Sequence, residues 1–319
     1  MGRHMRLIRV VLLFFACCGA PACPRQEGEP AEAKGTITIS GAWALYPMAT
    51  RWAEVYQQAH PGIRVDVSAG GAGKGAADAL SGLVDIGMVS RTIQPAEIEK
   101  GGFPIGVVRD AVLPVMNDRS PVRAELLARG LSRDAFVRIW MEGKALTWGE
   151  LAGAAASERV HVFTRSDSCG AAETWAQYLG GNQEDLNGIG VYGDPGIAEK
   201  VASDTLGIGY NNLNFAYEPK TRRPVPGLCP IPMDLNGNGR VDPEEAFYAT
   251  KDSLLKAIME GRYPSPPARK LYFLTRGKPA LRVRDFVTWV LTDGQAYAEE
   301  VGYVPLAEAE RQEALKNLE

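Results

Sequence analysis

Residues 68–75, SAGGAGKG, set four glycines and Lys74 just ahead of a run of helical character, the arrangement in which backbone amides cradle a phosphate. A nucleotide loop of the G-x-x-x-x-G-K-[ST] kind is excluded. Gly73-Lys74 is followed by Gly75 where a magnesium-binding hydroxyl is required, and Ser68 stands where the first glycine belongs. The dinucleotide pattern G-x-G-x-x-G is excluded as well, because Gly71-x-Gly73 leads to Ala76. What survives is a strand, IRVDVSAG, a flexible turn that holds Ala72, Gly73 and Lys74, and a helix whose first amides favour an anion. A tight strand-to-helix turn without a ligand is the alternative.

Three further stretches have the same layout: SGAWALYP (40–47), MVSR (88–91) and TRSDSCGAAE (164–173). The first offers Ala44, Leu45 and Tyr46, the second Ser90 and Arg91. The third offers Arg165 followed by Ser168, Cys169, Gly170 and Ala171. A guanidinium suits a tetrahedral oxyanion because its planar fork donates two parallel hydrogen bonds. Each residue also has a plainer role: Arg91 in an ion pair, Lys74 in solvent, Ser168 as a helix N-cap.

A second constellation is DLNGNGRVDPEE, residues 234–245. An EF-hand-type calcium loop asks for oxygen ligands at positions 1, 3, 5 and 9, glycine at 6, an apolar residue at 8 and a bidentate Glu at 12. Asp234, Asn236, Asn238, Asp242, Gly239, Val241 and Glu245 fill these positions, and Arg240 offers its carbonyl at position 7. Only one such loop is present, and two of its ligands are neutral. A structural calcium of moderate affinity is expected, rather than a sensor pair.

The chain has 319 residues and a formal net charge of -3, which excludes a broad nucleic-acid surface. Its N-terminus, MRLIRVVLLFFACCGAPAC, has two arginines, an apolar run too short to span a bilayer, then small residues and cysteine. That is the layout of a secretory leader ending in a bacterial lipobox, with Cys23 (or Cys17) as the lipidated residue. PRQEGEPAEAK follows as a polar tether. The expected product is a membrane-anchored protein of the periplasm or cell surface. Only Cys169 and Cys229 remain for the folded part, where an oxidising compartment would let them bridge. Cys169, at a helix start near Arg165, also raises a rival reading of different class: an exported thiol enzyme or redox protein with a low-pKa nucleophile. His60, at a helix end, and His161, opening a strand, supply no evident base.

These residues must be held by elements, and from Thr36 strand and helix signals alternate. GTITISGA, IRVDVSAG, VDIGMVS, VVRDAVLPVMN, HVFTRS, IGYNNLN and KLYFLTRG read as strands. YPMATRWAEVYQQAH, GAADALSGL, SRDAFVRIWMEG, AAETWAQYLG, IAEKVASDT, KDSLLKAIMEG, RVRDFVTWVL and GQAYAEEV read as helices. The alternation predicts an α/β fold with a mostly parallel sheet and ligands beyond the carboxyl ends of its strands.

Four landmarks in order, ISGAWALYPMATRWAEVYQQAHP, the glycine turn with LSGLVDIGMVSR, TRSDSCGAAETWAQYL, and KLYFLTRGKP with FVTWVLTDGQAYAEEVGYVPL, resemble the PstS-like substrate-binding proteins of phosphate ABC importers. The resemblance runs from about Ile37 to about Leu306. It implies a type II periplasmic-binding-protein fold, two α/β lobes joined by two crossover strands. The leader and lipobox would take 1–23 and the linker 24–35. The first lobe would take 36–113 and 271–319, and the second 114–270, including the calcium loop. It further implies a monomer that captures an oxyanion, inorganic phosphate first, hands it to a membrane ABC permease, and catalyses nothing.

Carried over position by position, the implied anion ligands are the backbone around Ala44, Leu45 and Tyr46, the turn at Ala72, Gly73 and Lys74, Ser90 with Arg91, and Arg165 with Ser168, Cys169, Gly170 and Ala171. Hydroxyl side chains that the family carries are absent at Leu45, Ala72 and Ala171, and Arg91 is an added cation. The site therefore reads as more cationic than usual, open to another oxyanion or a small carboxylate.

Overall fold

The computed structural model describes residue 2 and residues 34–144 and 146–319. The leader, Cys17, Cys23 and the linker up to residue 33 lie outside the described residues. Among those described, no helix is long and apolar enough to cross a membrane.

The strands in chain order are β1 (Gly35–Gly41), β2 (Ile63–Ala69), β3 (Ile86–Val89), β4 (Gly102–Asn117), β5 (Leu131–Ser132) and β6 (His161–Arg165). They continue with β7 (Ile189–Val191), β8 (Gly207–Asn212), β9 (Leu228–Pro230), β10 (Met233–Asp234), β11 (Ala268–Arg276) and β12 (Val304–Pro305). Ten form one sheet in the order β2-β1-β3-β11-β4-β8-β6-β7, with β9 and β12 both on β4, and β10 pairs with β5 separately.

The sheet is parallel in its two wings, β1 with β2 and β3, and β6 with β7 and β8. At its centre it is antiparallel: β11 with β3 and β4, and β4 with β8, β9 and β12. The expectation of a mostly parallel sheet is therefore corrected at the middle. A strand that returns from one lobe to the other enters its neighbours' ladder from the opposite end.

β4 is the spine. Its first part pairs with β11 as far as Ala111, and from Val112 to Met116 it pairs with β8. Two hydrophobic cores sit on either side of this crossover. One gathers Ile37 through Val108 with Leu271 through Leu318, around Trp52, Phe273 and Phe286. The other gathers Ala111 through Ala268 with Val304, around Phe136, Trp140, Trp175 and Tyr210. In the second, Trp175 lies 5.2 Å from Phe136 and 5.4 Å from Trp140 in edge-to-face contact, the preferred aromatic geometry.

The helices that matter for the site begin at strand tips. Tyr46–Ala59 follows β1 through a short 3-10 turn and carries a proline in its first turn, where the missing N–H costs nothing. Ala72–Ser81 follows β2, and its N-cap Gly71 has φ 88°, a value that glycine reaches without strain. Gly170–Leu179 follows β6. The expected helix over GQAYAEEV is broken into a 3-10 stretch, Asp293–Tyr297, and a single turn, Ala298–Val301. A C-terminal helix, Glu308–Leu318, is present beyond the expected set.

Candidate anion-binding site

The strand tips converge, and they do so across the two lobes. The amide of Gly73 donates to the carbonyl of Ser168 at 3.3 Å. A Cβ placed on Gly71 would lie 3.1 Å from Asp167 Oδ2, and one on Gly170 would lie 2.1 Å from the Ser90 carbonyl oxygen. Trp43 reaches from the first lobe to Gly193 and stands edge-on to Phe215. The glycine turn, Ser90 and the 165–171 segment thus form one site, and glycines are what let the backbones approach so closely.

Arg165 occupies the centre of the second lobe's share. Tyr210, buried, accepts the Arg165 amide at 3.2 Å and hydrogen-bonds Thr164 at 2.8 Å, fixing the tip of β6. The guanidinium is buried and held by two carboxylates. Nε and Nη2 donate to Asp167 at 2.7 and 2.6 Å, and Nη1 donates to Asp194 at 2.8 Å. Burial works against its charge, but Asp194 and Asp167 outweigh that and keep it protonated. These bonds use three of its five N–H donors. One cation against two carboxylates makes the cluster net negative.

The other two cations are turned to carboxylates. Arg91, buried, makes a two-fold bond to Glu97 at 3.0 and 2.7 Å, and Lys74, half-exposed, pairs with Asp78 four residues on. The expectation of an unusually cationic site is corrected accordingly: each cation arrives with its counter-charge.

The remaining predicted positions are also placed. Ala44 and Leu45 are buried in the 3-10 turn. The Ala44 carbonyl accepts the Tyr303 hydroxyl at 2.6 Å, and the Leu45 amide is spent on the Ala42 carbonyl. Tyr46 begins its helix, and Ala72 is buried at the first position of the next. Ser90 is buried against Gly170. The N-cap of helix 170–179 is Cys169 rather than Ser168: its sulfur accepts the Ala172 amide at 3.4 Å, while its own amide donates to Gln183 Oε1 at 3.1 Å. Gly170 and Ala171 carry the first helical amides, where the dipole favours an anion.

Cys169 and Cys229 are both free and buried, so the bridge that an oxidising compartment would allow is not formed. Burial pushes the Cys169 thiol up to about 12 despite the nearby Arg165 charge, and it raises Cys229 as well. Buried and raised, Cys169 lacks the exposed, low-pKa thiol that the enzyme reading requires.

Asp167, Asp194, Asn212 and Arg269 belong to the site although the sequence did not single them out. Asp167 was within sight, two residues after Arg165 in the same tip. Asp194, in the first turn of helix Gly193–Ser203, had only its place at a helix start. Arg269 lies on β11 and had no local signal.

In the 234–245 loop, Asp234 accepts the amides of Gly237, Asn238 and Gly239 at 2.8, 3.1 and 2.9 Å. Glu245, buried, folds back to accept the amides of Leu235 and Asp242 at 2.8 and 3.2 Å. Asn236 and Asn238 both donate to Asp242 Oδ2, at 2.9 and 2.7 Å. Gly237 and Gly239 take φ 73° and 75°. The loop is wound by its own side chains. Among the described residues, no three His, Cys, Asp or Glu side chains already stand as a metal cage.

Comparison with known proteins matches this architecture. A family model described as "PBP superfamily domain" matches residues 27–294. The chain is 24% identical over 312 residues to the phosphate-binding protein PstS of Bacillus subtilis, covering 95% of this chain and 93% of the relative. It is 27% identical over 314 residues to protein SphX of Synechococcus elongatus, covering 93% and 84%. Among solved structures, an ABC transporter substrate-binding protein with bound phosphate from Clostridium perfringens superposes with a TM-score of 0.70 at 17% identity, over 86% of this chain and all (100%) of that one. An ABC-type phosphate transport receptor from Vibrio cholerae gives 0.59 at 20% identity, over 85% and 100%. The chain belongs to the PBP superfamily, with the type II periplasmic-binding-protein fold of two α/β lobes joined by crossover strands.

Proposed function

We propose that this chain is an extracytoplasmic substrate-binding protein that captures inorganic phosphate between its lobes and delivers it to a membrane ABC permease. The observation that carries this is the meeting of Gly73, Ser90 and the Arg165–Ala171 segment across the cleft, a segment that carries both a guanidinium and a helix N-terminus. Relatives of matching length that are named for phosphate binding support the choice of anion. The net negative Arg165 cluster favours an anion that still carries a proton, because that proton can be donated to a carboxylate. Sulfate has none to offer at neutral pH.

Calorimetric titration of the protein, stripped of bound anion, tests the reading. Saturable phosphate binding is expected, with sulfate weaker by at least about 100-fold, as when a buried polar partner is left unmatched. Binding of a small carboxylate or another oxyanion instead of phosphate would move the ligand and sink the phosphate assignment.

The same proposal includes a lipid anchor at Cys23 (or Cys17), which would hold a monomeric receptor at the periplasmic or outer surface beside its permease. It also includes one calcium ion in the 234–245 loop, held by Asp234, Asn236, Asn238, Asp242, Glu245 and the Arg240 carbonyl and stapling the second lobe. The complete ligand spacing and the buried Glu245 support it. At free calcium about 100-fold above Kd, stabilisation of about 2.7 kcal/mol is expected, a rise of roughly 5 °C in Tm that chelator reverses. Glu245→Gln should abolish the shift, and an unchanged Tm in the parent protein would remove the ion.

A further inference from the structure

β4 and β11 carry an ion pair at the point where they cross between the lobes: Asp110 and Arg269 stand directly opposite in the ladder. Asp110 is wholly buried, and neither carboxylate oxygen has a hydrogen-bond partner among the described residues. Its ion-pair partner is Arg269, with Nη2 3.3 Å from Oδ1. The same guanidinium donates through Nη1 to the Gly170 carbonyl at 2.7 Å and through Nη2 to Asn212 Oδ1. Asn212 in turn donates to Asp194 Oδ1 at 2.5 Å, and Asp194 holds Arg165. One continuous chain of polar contacts therefore links the hinge to the anion site.

The Gly170 bond matters most. The peptide between Gly170 and Ala171 is planar, so a donor fixed on the Gly170 carbonyl also fixes, and polarises, the Ala171 N–H on the other side of the bond. We propose that Arg269 is the positioning residue that aims this amide at the bound anion, and that the ionisation of its hinge partner Asp110 tunes anion affinity. This rests on the anion-capture reading above.

The groups facing Asp110 are few. Arg269 comes from β11, Asp194 from the start of helix 193–203, Tyr263 from the segment before β11, and Tyr303 from the segment before β12. Both tyrosine hydroxyls are committed elsewhere, Tyr263 to the Val112 carbonyl and Tyr303 to the Ala44 carbonyl, each at 2.6 Å. Burial pushes the Asp110 carboxyl up to about 7, with Arg269 working against the rise and Asp194 adding to it. The sign follows by linkage. A bound anion raises the proton affinity of Asp110, so binding takes up protons there and affinity falls as pH rises through about 7. Ionised Asp110 also competes with the Gly170 carbonyl for the guanidinium.

The test is phosphate titration calorimetry on the full chain at pH 6, 7, 8 and 9 for the parent protein, Asp110→Asn, Arg269→Lys and Arg269→Gln. The ionisation of phosphate itself is common to all four, so the difference between parent and Asp110→Asn isolates Asp110. Affinity in the parent should fall more steeply than in Asp110→Asn, by about tenfold between pH 6 and 8. The parent should also show the larger proton uptake when titrated in buffers of different ionisation heat. Arg269→Gln should weaken binding about tenfold or more, with Arg269→Lys recovering part of it. Parallel pH profiles for parent and Asp110→Asn, or Arg269→Gln binding like the parent, would overturn the inference alone. Should Arg269→Gln not fold, the near-isosteric Asp110→Asn decides. No phosphate binding by the parent at any pH would remove the functional reading together with this one.

Discussion

Gly170 is where the two lobes come closest at the site, and its missing side chain is a condition of closure. A Cβ there would stand 2.1 Å from the Ser90 carbonyl oxygen and 2.3 Å from Ser90 Oγ, both in the opposite lobe. Its φ is not in the left-handed region, and alanine is the better helix former, so nothing within helix 170–179 opposes a methyl group. The clash lies wholly across the cleft and is relieved by opening it. Gly170→Ala is therefore expected to keep Tm within the equivalent of about 1 kcal/mol, to weaken phosphate binding about tenfold or more, and to leave the phosphate-saturated protein with a larger radius of gyration in solution scattering. A variant that binds and compacts like the parent would show that the Ser90–Gly170 approach is no part of closure. The neighbouring cations obey a related economy: Arg91, Lys74 and Arg165 are each matched to carboxylates.

At the scale of elements, the sequence was legible wherever local pattern and local packing coincide. Helix 46–59 announces itself by apolar residues on one face, Met48, Ala49, Trp52, Ala53 and Tyr56, and by its stop at His60-Pro61-Gly62. Arg165 was legible because it sits at the junction of a recognisable strand and a recognisable helix. The sequence pattern opens β4 at Val107, yet the strand begins at Gly102: Gly102, Pro104 and Gly106 look like a turn, and only pairing with β11 makes them strand. Helix 308–318 leaves no apolar stripe in the sequence because it buries little beyond Leu318, so its pattern is nearly all polar. The antiparallel centre of the sheet, and with it the Asp110–Arg269 pair, is a product of chain crossover between lobes. Neither residue has a neighbour in sequence that hints at the other. The N-cap went to Cys169 over Ser168 because the helix starts one residue later than hydroxyl preference suggests, and a thiol can accept the same amide.

For the molecule as a whole, the lobes are tied together away from the anion site as well. Arg222 of the second lobe donates to the carbonyls of Glu299 and Glu300 at 3.2 and 3.1 Å, and Asn214 donates to that of Gly302 at 3.2 Å. These contacts satisfy the end of a first-lobe helix that would otherwise leave its carbonyls unpaired. Lys251 supports the patch, its Nζ donating to Asn214 Oδ1 at 2.8 Å from a fully buried position. Burial, aided by the Arg222 charge and opposed by Asp252, brings its ammonium down to about 7. In the unfolded chain a lysine holds its proton to about pH 10.4. Between those values the unfolded state binds more protons at this group, so its contribution to stability should rise with pH from about 7 to about 10 and be flat below 7. The raised carboxyl of Asp110 acts in a separate window: the stability it confers is complete below about pH 4 and is lost by about 7. Because the raised thiols of Cys169 and Cys229 lose stability with pH in part of this window, the difference between parent and Lys251→Met in denaturant titrations from pH 7 to 10 is what isolates Lys251. The parent protein is expected to gain about 3 kcal/mol across that range relative to Lys251→Met. Parallel curves for the two proteins would mean that Lys251 keeps an ordinary ammonium, solvated by water that reaches the junction between the lobes.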